Sequence, residues 1–228
     1  MRDFGNAGRI LNEILPGPSV FPLVCVLLTN YLTYFTSRIF TSHLKHYSLE
    51  TALDRRIPFC TAFIWIYILS YLVWALGFVL TGWQEREKAD ELFAAEMAAK
   101  LLTLLFFVLL PTFIDRPYPE GNGLSERVTR LIFDLDAPDN LFPSIHCLES
   151  WFCFRVCTRL KNRNPVLESG MFVAALLVFA STVLLKQHVV LDIAGGILVV
   201  EAGLLAARKW KLGRGFARLR EKAGLVPW

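Results

Sequence analysis

The stretch Ser181-Thr-Val-Leu-Leu-Lys186-Gln-His188-Val-Val-Leu-Asp192 sits between two apolar runs, 166–186 and 187–207. Each run is close to the roughly 20 residues a helix needs to cross a hydrocarbon core. If the stretch is helical, His188 and Asp192, four residues apart, lie one above the other on one face. A carboxylate there can hold one ring nitrogen of the histidine and leave the other free to attack. Ionisable groups at membrane depth are expensive and mark sites. The same pair serves equally well as a polar contact between two transmembrane helices, so taken alone it does not choose.

Working outward, the chain is 54% hydrophobic with a mean hydropathy of +0.45, and the excess collects into long runs rather than spreading out. Six spans are predicted, at 19–40, 59–81, 92–113, 143–160, 166–186 and 187–207. The runs lack the alternation of barrel strands. The expected fold is therefore all-α, a polytopic six-transmembrane-helix bundle forming a single domain over 1–228. The fourth span is the weakest, carrying His146, Glu149 and Arg155. Met1–Pro18 has no signal-peptide layout, so no cleavage is expected there. In the 119–142 connection, Leu124, Val128, Leu131, Ile132 and Leu135 recur at helical spacing after Ser125, a plausible cap. This predicts a short interfacial helix between spans three and four.

Alternate loops divide the basic residues fourteen to eight, the richer side holding the termini and the cluster from Arg208 to Lys222. The positive-inside bias puts both termini in the cytoplasm of a multi-pass protein, with the plasma membrane as the expected location. The formal net charge of +4 comes largely from the C-terminal tail and suits anionic headgroups, not nucleic acid. Cys25, Cys60, Cys147, Cys153 and Cys157 fall in or beside spans, where cysteine packs as a small hydrophobe. No CxxC or Cys/His spacing suggests a metal.

Three polar clusters fall at one membrane side of this topology. Arg116, in Asp115-Arg116-Pro117-Tyr118-Pro119, follows span three, where two prolines stiffen the exit. Its guanidinium matches phosphate oxygens. Pro143-Ser144-Ile145-His146 opens span four, so backbone N–H groups at a helix head face the same layer as His146. Lys186, His188 and Asp192 complete the set. Cationic donors, two histidines, a carboxylate and no thiol suit phosphoryl transfer through a phosphohistidine.

These elements, in this order, resemble the type 2 phosphatidic acid phosphatase superfamily of membrane phosphatases and phosphotransferases. The likeness runs through Arg116-Pro117, Pro143-Ser144-Ile145-His146 and Ser181 to His188 and Asp192, from span three onward. Three positions depart from the family pattern: Leu109 where a lysine is usual, Ile145 for glycine, and Thr182 for arginine. The Lys-Gln-His form is similar to the branch near inositol phosphorylceramide synthases. The resemblance implies His188 as nucleophile, Asp192 as its orienting carboxylate and His146 as general acid and base. It also implies Arg116, Lys186, Ser144 and Ser181 as phosphate ligands, with Lys186 supplying one missing cation. No cofactor is implied. The expected substrate is a phospholipid or isoprenoid phosphate in the bilayer, hydrolysed at the extracytoplasmic face. The alternatives are transfer of a phospho-headgroup to a lipid alcohol, as in inositol phosphorylceramide or sphingomyelin synthases, and a non-catalytic lipid-binding or transport protein.

Other polar residues are expected to be structural. Glu96 and Lys100 should neutralise each other, Glu149 should pair with Arg155 or a hydroxyl, and Glu201 should pack. His43 and His46 lack further ligands and read as interfacial.

Overall fold

The computed structural model describes residues 15–223, so most of Met1–Pro18 lies outside the described residues. The chain order is α1 (Gly17–Thr41), α2 (Ala52–Arg56), a 3-10 turn (Thr61–Phe63), α3 (Ile64–Gly82), α4 (Arg86–Leu109) and α5 (Leu124–Leu135). There follow α6 (Ile145–Cys157), α7 (Pro165–Leu184), α8 (Val190–Trp210) and α9 (Arg214–Lys222). Among the described residues there is no strand beyond two isolated bridges, Tyr47 with Thr112 and Phe113 with Asp139.

Among the described residues five helices, α1, α3 (with its 3-10 turn), α4, α7 and α8, are long and apolar enough to cross a membrane. Their large side chains point outward: Ile39, Leu72, Leu109, Leu198 and Leu205 are each at least 67% exposed. Polar groups such as Thr33, Ser70, Thr103 and Lys100 are buried instead. That inversion is what a hydrocarbon solvent selects.

The span expected at 143–160 contains α6, which is only 13 residues and about 20 Å long. It is shorter than the five long helices, and most of its surface is covered by protein. It lies against α3, α7 and α8, with Leu148, Phe152, Cys153 and Val156 buried. Its two ends reach opposite ends of the bundle. At its head, Ser144 N–H donates to Asp192 O (3.2 Å), beside the outer loops. Past its tail, Lys161 meets Glu85 (2.6 Å) in the α3–α4 turn.

That second end is closed by α9, where Arg220 pairs with Asp90 and Phe216 packs edge-on to Phe21. The first end is an irregular layer of loops with α2 and α5. The expected amphipathic segment is α5, but Gly123, not Ser125, precedes it. Ser125 sits inside the first turn, where its hydroxyl accepts from Trp65 Nε1 (3.1 Å).

Close packing of α8 depends on glycine. A Cβ on Gly203 would fall 2.4 Å from Ala95 O on α4, and one on Gly196 2.9 Å from Ser144 O on α6. These small surfaces bring three backbones into direct contact.

Candidate active site

His188 and Asp192 meet, but not as neighbours on one helix face. Helix α8 begins at Val190, so His188 lies in the turn before it. Asp192, in the first turn, reaches back so that its Oδ2 accepts from Val189 N–H (3.0 Å) and lies 3.0 Å from His188 Nδ1. This is the carboxylate half of a capping box, made at a helix N-terminus that favours negative charge. With Nδ1–H given to the carboxylate, Nε2 keeps its lone pair. The turn itself is compact. Lys186 adopts a left-handed backbone (φ 54), and Gln187 and His188 N–H both donate to Thr182 O, at 2.9 and 3.1 Å.

His146 is carried by the first turn of α6, whose N-cap is Ser144. The Ser144–Asp192 backbone bond ties that turn to the head of α8, and the two imidazole centroids stand 6.2 Å apart. The His146 ring stacks on Tyr67 at 4.1 Å, with Trp74 at 5.0 Å and Tyr71 at 5.9 Å. Its Nε2 is buried and has no partner among the described residues. Both histidines line one cavity of about 520 Å³, walled by α1, α3 and the loop ahead of α6. Tyr34, Tyr71, Trp74, Asp136 and Asp139 contribute to its lining, and no lysine or arginine does so among the described residues.

The expected phosphate ligands are placed differently. Arg116 donates to Asp136 O (2.5 Å) and Ala137 O (3.4 Å), with its guanidinium over the Phe133 ring. Burial pulls its pKa down from the ordinary arginine value, against the Asp136 carboxylate, which raises it. Lys186 Nζ donates to Asp54 O (2.7 Å) and Ile57 O (2.6 Å). Arg116 and Lys186 share a second, more open groove with Glu50, Arg55 and Asp115. Ser144 Oγ accepts from Cys147 N–H (3.2 Å), capping α6, and Ser181 Oγ donates to Val178 O (2.7 Å).

Below the histidines the expected Glu96–Lys100 pair is joined by Glu149, whose partner differs from expectation. Lys100 Nζ is 2.7 Å from Glu149 Oε1 and 3.6 Å from Glu96 Oε1, all buried. Glu149 therefore pairs with Lys100, and Arg155 pairs with Glu201 (2.9 Å). Glu201 also accepts from Trp151 Nε1 (2.8 Å). Among the described residues no three His, Cys, Asp or Glu side chains converge as a metal site.

Several residues at this end escaped sequence reasoning. Tyr67 and Trp74 lie inside the predicted 59–81 span, where nothing in the sequence separates them from its other aromatics. Asp136 directly follows the run that predicts the interfacial helix and belongs to no motif. Asp54 had a usable signal, since Thr51-x-x-Asp54 is a capping box, and its Oδ1 accepts from Val190 N–H (2.7 Å) at the head of α8.

Comparison with known proteins adds one match. Neither the curated proteins nor the solved structures contain a match to this chain. A family model described as the PAP2 superfamily matches residues 41–206, which takes in Arg116, both histidines and Asp192. With its long apolar helices, the chain is an integral membrane protein that belongs to the PAP2 superfamily, the type 2 phosphatidic acid phosphatases and phosphotransferases.

Proposed function

We propose that this protein cleaves the phosphate ester of a membrane lipid through a phosphohistidine at the extracytoplasmic face, with water as acceptor. The Nε2 lone pair of His188 forms an N–P bond as the P–O bond to the lipid alcohol breaks. His146 gives the departing alkoxide its proton. His146 then takes a proton from water, whose oxygen attacks phosphorus, and the N–P electron pair returns to His188. Asp192 holds the ring and stabilises the imidazolium charge. The observation that carries this is two histidines facing one cavity 6.2 Å apart, one of them fixed by a buried carboxylate.

The substrate is a lipid because Leu27, Tyr31 and Phe35 of α1, half-exposed toward the bilayer, form part of the same cavity wall. A phospholipid or isoprenoid chain then reaches the histidines sideways. We take α6 as the sixth crossing, since its two ends meet opposite ends of the bundle. The basic end, with Lys161, Arg208 and Arg214, faces the cytoplasm of a plasma membrane, and α5 lies in the outer headgroup layer.

Purified protein offered phosphatidic acid tests this directly. Release of phosphate, lost in His188→Ala at unchanged folded yield, is the expected result, and wild-type turnover in that variant refutes it. A second reading, transfer to a lipid alcohol, is favoured by the aromatic, cation-free lining, which can seat an acceptor chain. A new lipid phosphoester formed on adding an acceptor lipid selects that reading.

A further inference from the structure

Phosphoryl transfer at His188, the reading on which this inference rests, brings a phosphate dianion to a cavity with no lysine or arginine in its lining among the described residues. The lining instead holds two carboxylates, Asp136 and Asp139, whose side chains are 30% and 33% exposed. Each has an arginine outside the cavity. Arg38 Nη2 holds Asp139 Oδ2 (3.1 Å), and Arg116 Nη2 stands 4.0 Å from Asp136 Oδ2. Arg116 gives its hydrogen bonds to backbone carbonyls, so Asp136 accepts from neutral phenols, Tyr34 (2.7 Å) and Tyr67 (3.5 Å). The cavity therefore faces the negative ends of two ion pairs.

Two further features of the lining suit a guest that is cationic and donates hydrogen bonds. Asn30 belongs to the wall, and its Oδ1 is buried without a hydrogen-bond partner among the described residues. A buried acceptor of this kind calls for a donor. Tyr71 and Trp74 meet at 4.8 Å with their planes 69° apart, so the two rings make a corner. Trp74 is pinned there by the bond from its Nε1 to Ser150 Oγ (3.0 Å). Ring faces next to carboxylates attract an ammonium group through both the ring quadrupole and full charge.

We propose that the substrate is the phosphate ester of a long-chain amino alcohol, its protonated amine seated among Asp136, Asp139 and the Tyr71–Trp74 corner. The amine belongs to the departing alcohol and not to the transferred group. His146, which protonates that alcohol, lines the same cavity as the bilayer-facing residues Leu27, Tyr31 and Phe35. The ammonium offsets two carboxylates that would otherwise repel the incoming phosphate.

The test uses full-length protein in nanodiscs and two octadecyl phosphates that differ in one group beside the ester carbon, an amine or a hydroxyl. The amine form should exceed the hydroxyl form by at least about tenfold in kcat/KM, the scale of one desolvated cation–π contact. Asp136→Asn and Tyr71→Leu should each cut that ratio by about threefold or more, as loss of a single cation contact would. The ratio is internal to each variant, so a lower folded yield does not move it. Equal kcat/KM for the two forms in wild type overturns the proposal, and so does a ratio that both variants leave unchanged. Cleavage of phosphatidylethanolamine in preference to phosphatidic acid, with phosphoethanolamine released, puts the cation on the transferred group and overturns its assignment to the departing alcohol. Equal turnover of both forms that disappears in His188→Ala sinks the substrate class alone. Turnover of neither form, nor of phosphatidic acid, sinks the phosphohistidine reading itself.

Discussion

Gly196→Ala is the sharpest probe of how packing sets the distance between the two histidines. The added Cβ would sit 2.9 Å from both Leu148 N and Ser144 O and 3.0 Å from Cys147 Cβ, whereas ordinary contact begins at 3.4 Å. Backbone atoms of α6 cannot swing aside as a flexible side chain can. Relief requires the head of α6 to retreat from α8 by about half an ångström. The Ser144–Asp192 backbone bond, already 3.2 Å, then stretches past useful length. His146 moves with the same turn, while His188 and Asp192 stay with α8. A misplacement of 1 Å can cost about 10²-fold in rate, so half that should cost roughly 10-fold in kcat. Overpacking costs about 1–3 kcal/mol, of which alanine's better helix propensity returns about 1 kcal/mol. The variant should therefore melt only slightly lower but turn over phosphatidic acid about tenfold more slowly. Gly203→Ala is the control. Its Cβ would meet Ala95 O at 2.4 Å, two turns further along α8, so stability should fall further while kcat of the folded protein stays within about threefold. A Gly196→Ala protein with wild-type kcat refutes the idea that this contact sets the histidine spacing. Equal kcat losses in both variants refute it too, since general loosening of the bundle would then suffice.

Other expectations concern the charged groups. Lys100→Met strands Glu96 and Glu149 without their cation and should destabilise by about 3–5 kcal/mol in thermal or denaturant unfolding. Adding Glu96→Gln and Glu149→Gln should recover most of that loss, and no recovery would mean the lysine stem, not its charge, matters. Burial of Asp54 would raise its pKa, but hydrogen bonds from Thr51 and from Val190 N–H outweigh this and lower it. Its contribution to stability is thus complete above the usual aspartate value of about 3.9 and is lost as pH falls through the lowered one. Melting curves below pH 5 should flatten in Asp54→Asn relative to wild type, and parallel curves would count against the linkage. Lys186→Met should release the carbonyls of Asp54 and Ile57, costing about 1–3 kcal/mol. Its kcat should stay within about fivefold, and a loss near 10²-fold would return Lys186 to the phosphate.

The long spans were legible because a hydrocarbon solvent leaves a one-sided signature: lipid-facing residues such as Leu72 and Leu205 are apolar whatever their neighbours. Helix α6 was faint for the opposite reason. Protein surrounds it, so Glu149 can face Lys100 and Ser150 can accept from Trp74 Nε1 (3.0 Å) without a hydropathy peak. The His188–Asp192 contact was legible in its partners but not in its form. Spacing of four suggested one helix face, yet a histidine two residues before a helix and an aspartate in its first turn meet just as well. The aspartate does so by capping the helix. Glu149 was misassigned because Arg155 is near in sequence while Lys100, on another helix, is near in space.

The fate of Arg116 and Lys186 follows from where they stand. At the outer end the chain leaves helices for irregular loops, and each loop carbonyl near a membrane boundary needs a donor. A long cation next to such loops is drawn to them as readily as to a ligand. Arg116 ties the α4–α5 loop to the segment after α5, Lys186 ties the α7–α8 turn to α2, and Arg38 ties α1 to Asp139 (3.1 Å). Three cations thus lace the loops around the cavity rather than fill it. On the proposed phosphohistidine reading, a phosphate arriving at His188 then depends on donors that need not leave another partner first, and at the head of α6 these are the N–H groups of Ile145 and His146, since those of Ser144 and Cys147 are already given to Asp192 O and Ser144 Oγ. Neutral donors held by a helix head are preorganised, and preorganised dipoles stabilise transition-state charge without reorganising at the moment of reaction.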